Sequence, residues 1–284
     1  MIQTDGKFRL AISPCPNDTF AFYGLLHGKV PYSRDLQTEY MDIEALNLQC
    51  MRHRFDFCKI SFSAFLPLSR DYVMLDSGAA LGFGCGPLIV AKETFPLQEL
   101  STRKIAIPGK NTTACLLLKL FAGKSLHTVE MPFDHIMDAV NRGDVDAGLI
   151  IHESRFTYRS MGLIELVDLG AWWEQKTGAA IPLGGIVARR TLPVDSILEF
   201  QQALTRSIDY AWNHPDEVVP FMKEHAQEID REVMLQHVNL YVNEFTRSLG
   251  PAGEKSVRML FAESVVAGLI EDRVEALFVH EMER

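Results

Sequence analysis

The sequence predicts an α/β protein made of two lobes and a helical C-terminal segment. Strand-like and helix-like segments alternate from about residue 8 to about residue 190, as expected of parallel sheets with crossover helices. After about residue 191 the apolar residues recur at helical spacing, so roughly the last hundred residues are predicted to be helical. Two apolar runs, at 87–91 and 184–188, flank a βαβαβ stretch and indicate that one lobe is inserted into the other.

The first predicted strand ends in a rigid polar loop that opens a helix. Residues 8–13 are apolar and run into Pro14-Cys15-Pro16, where the two prolines fix φ and remove backbone donors. Asn17, Asp18 and Thr19 then bring cap-forming oxygens and free amides to the start of the helix. Because α/β proteins bind ligands at the carboxyl ends of strands, this loop is a candidate binding site.

The remaining elements follow from the alternation of apolar periods and turn residues. Strands are predicted at roughly 8–13, 36–41, 56–60, 72–76, 86–92, 104–107, 127–131, 146–151, 164–168 and 184–190. Helices are predicted at roughly 17–27, 42–52, 61–69, 112–122, 133–142, 153–161 and 170–177. In the C-terminal part, helices are predicted at roughly 198–212, from Pro215 onward, at 230–246 and at 254–268, with Gly250-Pro251 separating the last two.

The two crossings divide the chain into two predicted lobes. The first contains residues 1–92 and 188–284, including the C-terminal helices, and the second is the inserted stretch 93–187. Two α/β lobes joined by paired crossings resemble the periplasmic-binding-protein-like fold of type II, in which ligands bind in the cleft between the lobes. We therefore expect the junctions at 13–19, 59–63 and 109–113 to meet in a central cleft.

Composition and charge oppose several classes of function. The 284 residues are 47% hydrophobic and 23% charged, which is typical of soluble globular proteins. A net charge of −9 without a block of basic residues argues against nucleic-acid binding. The lack of an 18-residue apolar run and of a signal-peptide pattern predicts a cytoplasmic protein without a membrane partner. Five cysteines without a regular framework predict reduced, mostly buried thiols.

Two further strand–helix junctions are candidate binding sites. Lys59 ends a predicted strand beside Ser61, where it could neutralise a carboxylate; the alternative is a solvated lysine. The loop at 109–113 lies between a strand and a helix, so its hydroxyls and amides could cradle an anion. Its alternative interpretation is a helix cap, and both can be true. A nucleotide-binding P-loop is disfavoured because Lys104 stands where its first glycine would be.

The stretch at 144–153 is the strongest candidate for chemistry. An apolar strand delivers His152 and Glu153 to its carboxyl end, where open α/β sheets bind ligands. A histidine pKa of about 6.5 suits proton abstraction near neutral pH. The alternative is a histidine that caps the strand by hydrogen bonding. No zinc motif is predicted, because Phe156 stands where a His-Glu-x-x-His pattern needs histidine and the Cys50-Met-Arg-His53 segment lacks a second pair.

Four segments together resemble the 1,4-dihydroxy-6-naphthoate synthase family, and the resemblance extends in order over nearly the whole chain. They are SPCPNDTF at 13–20, KISF at 59–62, DSGAALGFGCGP at 76–87 and GLIIHE at 148–153. The resemblance implies a lyase of the futalosine route of menaquinone biosynthesis. Such an enzyme converts cyclic dehypoxanthine futalosine into 1,4-dihydroxy-6-naphthoate and releases a three-carbon fragment, expected to be dihydroxyacetone. The resemblance implies no metal or organic cofactor.

The resemblance also implies the roles of individual residues. His152 would accept a proton, and Lys59, Ile60 and Ser61 would bind a small anionic substrate from one lobe. From the other lobe, the substrate would meet the neighbouring residues Thr112, Thr113 and Ala114.

Two alternatives remain open at this point. One is a chorismate dehydratase of the same fold, and the other is a solute-binding protein without chemistry. The sequence does not decide whether Cys15 or Glu153 takes part, nor whether two copies associate as a homodimer.

Overall fold

The computed structural model describes residues 7–226, 230–271 and 276–282, and their strands form two sheets. The strands are β1 (Lys7–Ile12), β2 (Asp35–Tyr40), β3 (Phe57–Ser61), β4 (Tyr72–Met74), β5 (Ala80–Gly82), β6 (Leu88–Ala91), β7 (Lys104–Ile107), β8 (His127–Glu130), β9 (Ala147–Ile150), β10 (Ile164–Asp168) and β11 (Ile181–Arg189). The α-helices are α1 (Pro16–Leu26), α2 (Ile43–Met51), α3 (Phe62–Leu68), α4 (Thr113–Ala122), α5 (Ile136–Arg142), α6 (Ser154–Thr157), α7 (Leu169–Thr177), α8 (Val194–Asn213), α9 (Pro215–His225), α10 (Arg231–Tyr241), α11 (Glu244–Arg247) and α12 (Gly250–Val266).

Each sheet is mixed, whereas parallel sheets were predicted. The first sheet has the order β2-β1-β3-β11-β4, with β5 also paired to β11, and the second has the order β10-β6-β9-β7-β8. The pairs among β1, β2 and β3, and those among β7, β8 and β9, are parallel. The strands β6 and β11 pair antiparallel with their neighbours. Parallel neighbours are joined by crossover connections that begin and end in the same sheet, whereas β6 and β11 each follow a strand of the other sheet.

The chain passes from one sheet to the other just before β6 and again just before β11. Each of these strands lies in the sheet opposite to the one that the predicted lobe limits imply. The predicted division falls at 92/93 and 187/188, but β6 belongs to the second sheet and β11 to the first. An apolar run indicates a buried strand without indicating which sheet receives it. Both crossings therefore come earlier in the chain than expected, and the extent of each lobe remains a prediction.

Three other predictions differ from the structure, and one short strand was missed. The predicted helix at 153–161 is only the single turn α6, and β5, which spans three residues, was not predicted. The predicted helix at 230–246 divides into α10 and α11, because Asn243 caps α11 with its side chain. Gly250-Pro251 does not separate two helices but begins α12, since proline is tolerated in the first turn of a helix.

The C-terminal helices cover one face of the first sheet. Phe200 of α8 stacks on Phe57 of β3 with ring centroids 3.8 Å apart, in a core that also contains residues of α1, α9 and α10. None of the helices within the described ranges is both long enough and apolar enough to cross a lipid bilayer. All five cysteines are buried and free, as predicted.

Helix α1 is buried along nearly its whole length. It packs against helices α8, α9 and α10 and shares a hydrophobic core with strands of the first sheet, so Asn17, Asp18 and Thr19 lie in the interior. Buried polar atoms require partners within the protein. The proline-rich loop that starts this helix thus delivers polar groups to the inside of the molecule, and their partners define the candidate site.

Candidate active site

A cavity of about 80 Å³ lies where the two sheets meet, and all the predicted junctions contribute to its wall. The segment after β1 and the carboxyl end of β3 form one side, and the segments after β7 and β9 form the other. The predicted site residues on the wall are Asn17, Lys59, Ser61, Thr112, Thr113, Ala114 and His152. Carboxyl ends of strands from both sheets therefore converge on one space, as the fold class predicts.

Three predicted residues do not lie on the wall. Ile60 is fully buried in the hydrophobic core, because side chains alternate along β3 and its neighbours face the cavity. The hydroxyl of Thr19 donates to the carbonyls of Cys15 and Pro16 within the first turn of α1. Asp18 is also buried away from the wall, but it is linked to it through Lys59.

Lys59 is buried, so the interpretation as a solvated lysine is wrong. Its ammonium nitrogen lies 2.9 Å from Oδ1 of Asp18 and donates to the carbonyl of Gly78 at 3.2 Å. The other oxygen of Asp18 accepts from the amide and the hydroxyl of Ser13, at 3.1 and 2.7 Å. The positive charge is therefore already balanced. An ammonium group has three hydrogens, and these partners account for two of them.

Asn17 connects this ion pair to a histidine from the C-terminal helices. Its amide nitrogen donates to Oδ1 of Asp18 at 2.8 Å, and its Oδ1 lies 2.9 Å from Nε2 of His237. Because the amide oxygen can only accept, Nε2 of His237 carries the hydrogen. Burial, with smaller contributions from the neighbouring His152 and from the charge of Lys59, lowers the pKa of His237 well below its usual value. The imidazole is therefore neutral at neutral pH.

His152 projects from a strained backbone at the end of β9. Its φ is +55°, in the left-handed region that costs a residue with a side chain about 1–3 kcal/mol. The ring stands edge-on to Phe133 at 4.9 Å and lies parallel to His237 at 6.1 Å between centroids. Burial lowers the pKa of His152 to about 4, so the ring carries a free lone pair at neutral pH. Strain of this kind is characteristic of functional positions.

Ser61 and its backbone are held by one side chain. Oδ1 of Asn47 accepts from the amide of Ser61 at 2.9 Å, and Nδ2 of Asn47 donates to its hydroxyl at 3.1 Å. The hydroxyl oxygen of Ser61 thus accepts a hydrogen bond from the protein, and the residue lies on the wall of the cavity. Its hydrogen remains available as a donor.

The threonine hydroxyls of the second lobe have structural partners. Thr112 caps α4, accepting from the amide of Cys115 at 3.1 Å and donating to the carbonyl of Gly109 at 2.8 Å. Thr113 donates to the carbonyl of Leu183 at 2.6 Å and accepts from the amide of Ser63 at 3.2 Å. The cap interpretation is confirmed for Thr112. What this helix can offer a ligand is its first-turn amides, which have no acceptor within the helix.

Glu44 was not identified from the sequence, and it links the two sides of the cavity. Its carboxylate on α2 accepts from the amide nitrogen and the side chain of Asn111, the latter at 2.5 Å. A Cβ on Gly109 would come within 2.4 Å of this carboxylate, so the close approach requires glycine. Burial raises the pKa of Glu44. No local motif identifies such a residue, because its partner lies on a distant loop.

Cys15 and Glu153 lie against His152. One donor atom from each of these three residues falls within 4.8 Å of the others. Burial, followed by the charge of Glu153, raises the pKa of the Cys15 thiol well above its usual value, so the sulfur is protonated. Oε2 of Glu153 lies 4.0 Å from Nδ1 of His237.

Sequence and structure comparisons are consistent with this geometry. A sequence family described as menaquinone biosynthesis matches residues 8–264. The chain is 47% identical to a 1,4-dihydroxy-6-naphthoate synthase of Thermus thermophilus, over 95% of this chain and 98% of that protein. It is 42% identical to an enzyme of the same name from Streptomyces coelicolor, over 92% and 94% of the two chains.

Some solved structures resemble the chain in both sequence and fold, and others resemble it in fold alone. A crystal structure from Archaeoglobus fulgidus shares 36% identity and a TM-score of 0.89, covering 94% of this chain and all of the other. The alkanesulfonate-binding protein of Xanthomonas axonopodis pv. citri shares 12% identity and a TM-score of 0.72, covering 97% and 96%. The second likeness bears on the fold alone. A Candida albicans protein described as having the generic periplasmic binding protein structural fold shares 13% identity and a TM-score of 0.67, covering 95% of this chain and 93% of the other. These likenesses establish the periplasmic-binding-protein-like architecture that the paired crossings predict.

Proposed function

We propose that this chain, which belongs to the 1,4-dihydroxy-6-naphthoate synthase family of menaquinone biosynthesis, is a carbon–carbon lyase acting on cyclic dehypoxanthine futalosine. The products are 1,4-dihydroxy-6-naphthoate and dihydroxyacetone. One observation carries the proposal. A neutral histidine, His152, faces a cavity whose other walls carry an ammonium group, a hydroxyl and the start of a helix.

His152 is the proton acceptor in this proposal. A base must carry a free lone pair at the working pH, and burial keeps the ring neutral. Phe133 and His237 pack on the ring from two directions and restrict its rotation. Removing a proton from the substrate starts cleavage of the carbon–carbon bond, and formation of the aromatic naphthalene favours the product. General-base assistance of this kind contributes a factor of roughly 10²–10⁴.

The groups opposite His152 suit an oxygen-rich anion. Lys59 retains one ammonium hydrogen beyond its two protein partners, and Ser61 retains its hydroxyl hydrogen. Across the cavity, the first-turn amides at Thr113 and Ala114 add donors and the positive end of the helix dipole. The anion is held from both sheets, so binding favours closure, excludes water and fixes the reacting carbon against the base.

The experiment is a conversion assay with purified protein and cyclic dehypoxanthine futalosine, followed by the absorbance of the naphthoate product. Wild type converts the compound, and His152→Asn lowers kcat by roughly 10²–10⁴. The control His127→Asn changes an exposed histidine on β8 and retains wild-type turnover. Full turnover in a folded His152→Asn protein contradicts the assigned role.

The same assay separates the alternatives. Chorismate is supplied in parallel, and its consumption identifies a dehydratase instead. Recovery of the cyclic compound unchanged, together with saturable binding, identifies a solute-binding protein. Either result overturns the proposal.

A further inference from the structure

We infer that Cys15, His152, Glu153 and His237 form a binding site for Zn²⁺. The sulfur of Cys15, a ring nitrogen of His152 and a carboxylate oxygen of Glu153 lie within 4.8 Å of one another. The fourth donor, Nδ1 of His237, is 4.0 Å from Oε2 of Glu153. The four side chains come from the loop after β1, the end of β9 and helix α10, so the fold rather than a local motif assembles them.

The orientation of His237 is the observation that points to a ligand. The residue is fully buried, and among the described residues its Nδ1 has no hydrogen-bond partner. Its Nε2 donates to Asn17, whose amide is itself oriented by Asp18. Histidines that bind metals use this arrangement, because the bond at one nitrogen fixes the tautomer and directs the lone pair of the other. Burying an acceptor lone pair without a hydrogen-bond donor costs free energy, unless a ligand such as a metal ion binds to that nitrogen.

The donor set fits zinc in type and charge. One sulfur, two imidazole nitrogens and one carboxylate oxygen are the ligands that Zn²⁺ takes in four-coordinate sites. On binding, the Cys15 thiol loses its proton to solvent, and thiolate plus carboxylate then balance the two positive charges. A tetrahedral zinc spaces its ligand atoms about 3.4–3.8 Å apart, so the donors of Cys15, His152 and Glu153 must approach one another by about an ångström. Nδ1 of His237 lies outside this group of three and must move further, by rotation of its side chain toward Glu153. His152 lies on the cavity wall, which gives an ion its route of entry.

Zinc binding has a consequence for catalysis that rests on the proposed function. The ion takes the lone pair of His152 that would accept the proton, so Zn²⁺ acts as an inhibitor. Binding itself does not depend on that function.

The first experiment uses Co²⁺ as a spectroscopic probe on metal-free wild-type protein. We expect one Co²⁺ per chain and the near-ultraviolet band of a cobalt–thiolate bond. Cys15→Ser abolishes the band, whereas Cys115→Ala, which changes another buried cysteine on α4, retains it. Absence of binding, or a band that persists in Cys15→Ser, overturns the inference.

The second experiment measures Zn²⁺ affinity by calorimetry. Asn17→Ala, which releases the orienting bond to His237, weakens binding about 10- to 100-fold, and His237→Gln weakens it by at least as much. Circular dichroism melting verifies that each variant is folded. Equal affinities in wild type and His237→Gln would show that surface groups take the ion, and they contradict the site.

The outcomes for the two proposals are distinguishable. If Co²⁺ binds with its thiolate band but the cyclic futalosine is not converted, only the proposed function fails. If conversion occurs and Zn²⁺ neither binds nor inhibits, only the metal site fails. If both hold, a chelator restores the activity of zinc-inhibited enzyme.

Discussion

Lys59 and Asp18 form an ion pair in the interior, with the ammonium nitrogen 2.9 Å from Oδ1 and the two side chains 5% and 3% exposed. The pair joins the end of β3 to the first turn of α1, two of the junctions that form the cavity. Charges removed from water in this way need several hydrogen bonds to offset their desolvation. Ser13, Asn17 and Gly78 provide them. The polar side of the cavity is therefore one connected unit.

Removing one partner of this pair should destabilise the fold. Lys59→Met keeps the length of the side chain but leaves the Asp18 carboxylate buried without its cation, which costs about 3–5 kcal/mol in the free energy of unfolding. Urea denaturation measures the loss. The double variant Lys59→Met with Asp18→Asn recovers part of it, because the uncompensated charge is gone.

The matched control for Lys59 is an exposed ion pair. Arg247 and Asp209 are 2.7 Å apart, with side chains 56% and 42% exposed. Arg247→Ala costs less than about 1 kcal/mol, as is usual for pairs in water. Equal losses for Lys59→Met and Arg247→Ala would contradict the role given to burial.

Much of the fold could be predicted from the sequence because its elements are marked locally. Apolar runs end in polar or glycine-containing turns, and these set the order of strands and helices. The junctions after β1, β3, β7 and β9 could be placed at one edge for the same reason. Local pattern does not determine which sheet receives a crossing strand, and β6 and β11 were assigned to the wrong side on that account.

The residues that line the cavity were predicted only where they are contiguous with strand ends. His152 and Lys59 were found in this way, but the burial of Lys59 depends on Asp18, which is distant in sequence. His237 sits on an amphipathic helix, where a lone histidine resembles any core residue. Glu44 resembles an ordinary acidic residue in the first turn of a helix. Both acquire their roles only when the two sides of the cavity meet.

The left-handed backbone at His152 gives a prediction about stability. Asparagine tolerates positive φ, whereas a β-branched side chain does not. We expect His152→Val to be less stable than His152→Asn by about 1–3 kcal/mol, although both remove the imidazole. Thermal or urea unfolding of the two variants tests this, and equal stability would show that the backbone relaxes at this position.

The close approach of Gly109 to Glu44 gives a prediction about substrate binding. In Gly109→Ala the new methyl group meets the Glu44 carboxylate at 2.4 Å, and alanine is strained at the φ of +150°. Either the Glu44 carboxylate gives way and releases Asn111, or the loop that leads into α4 moves; both displace this loop's anchor. We expect a higher KM with a smaller change in kcat, because the binding groups shift and His152 does not. Gly123→Ala, which also has positive φ but nothing within 4 Å of the new carbon, is the control.

A double variant assigns the effect of Gly109→Ala to this contact. Truncation in Glu44→Ala makes room for the methyl group, so the two substitutions together should be less harmful than the sum of their separate effects. Strict additivity in KM would mean that the methyl group acts elsewhere.

The buried carboxyl of Glu44 gives a prediction about pH. Burial raises its pKa in the folded state, so the fold favours the protonated form. The stabilisation from protonation is fully present below the pKa of the unfolded chain and is lost as pH rises through the folded pKa.

Glu44→Gln stays neutral at every pH and keeps an oxygen that can accept from Asn111. We therefore expect the variant to gain stability relative to wild type as the pH is raised from about 4, the ordinary glutamate pKa, toward neutrality. Urea unfolding across this range measures the difference, and a difference that does not change with pH would contradict the raised pKa. Glu232→Gln, an exposed change in the first turn of α10, is the control and should show no such trend.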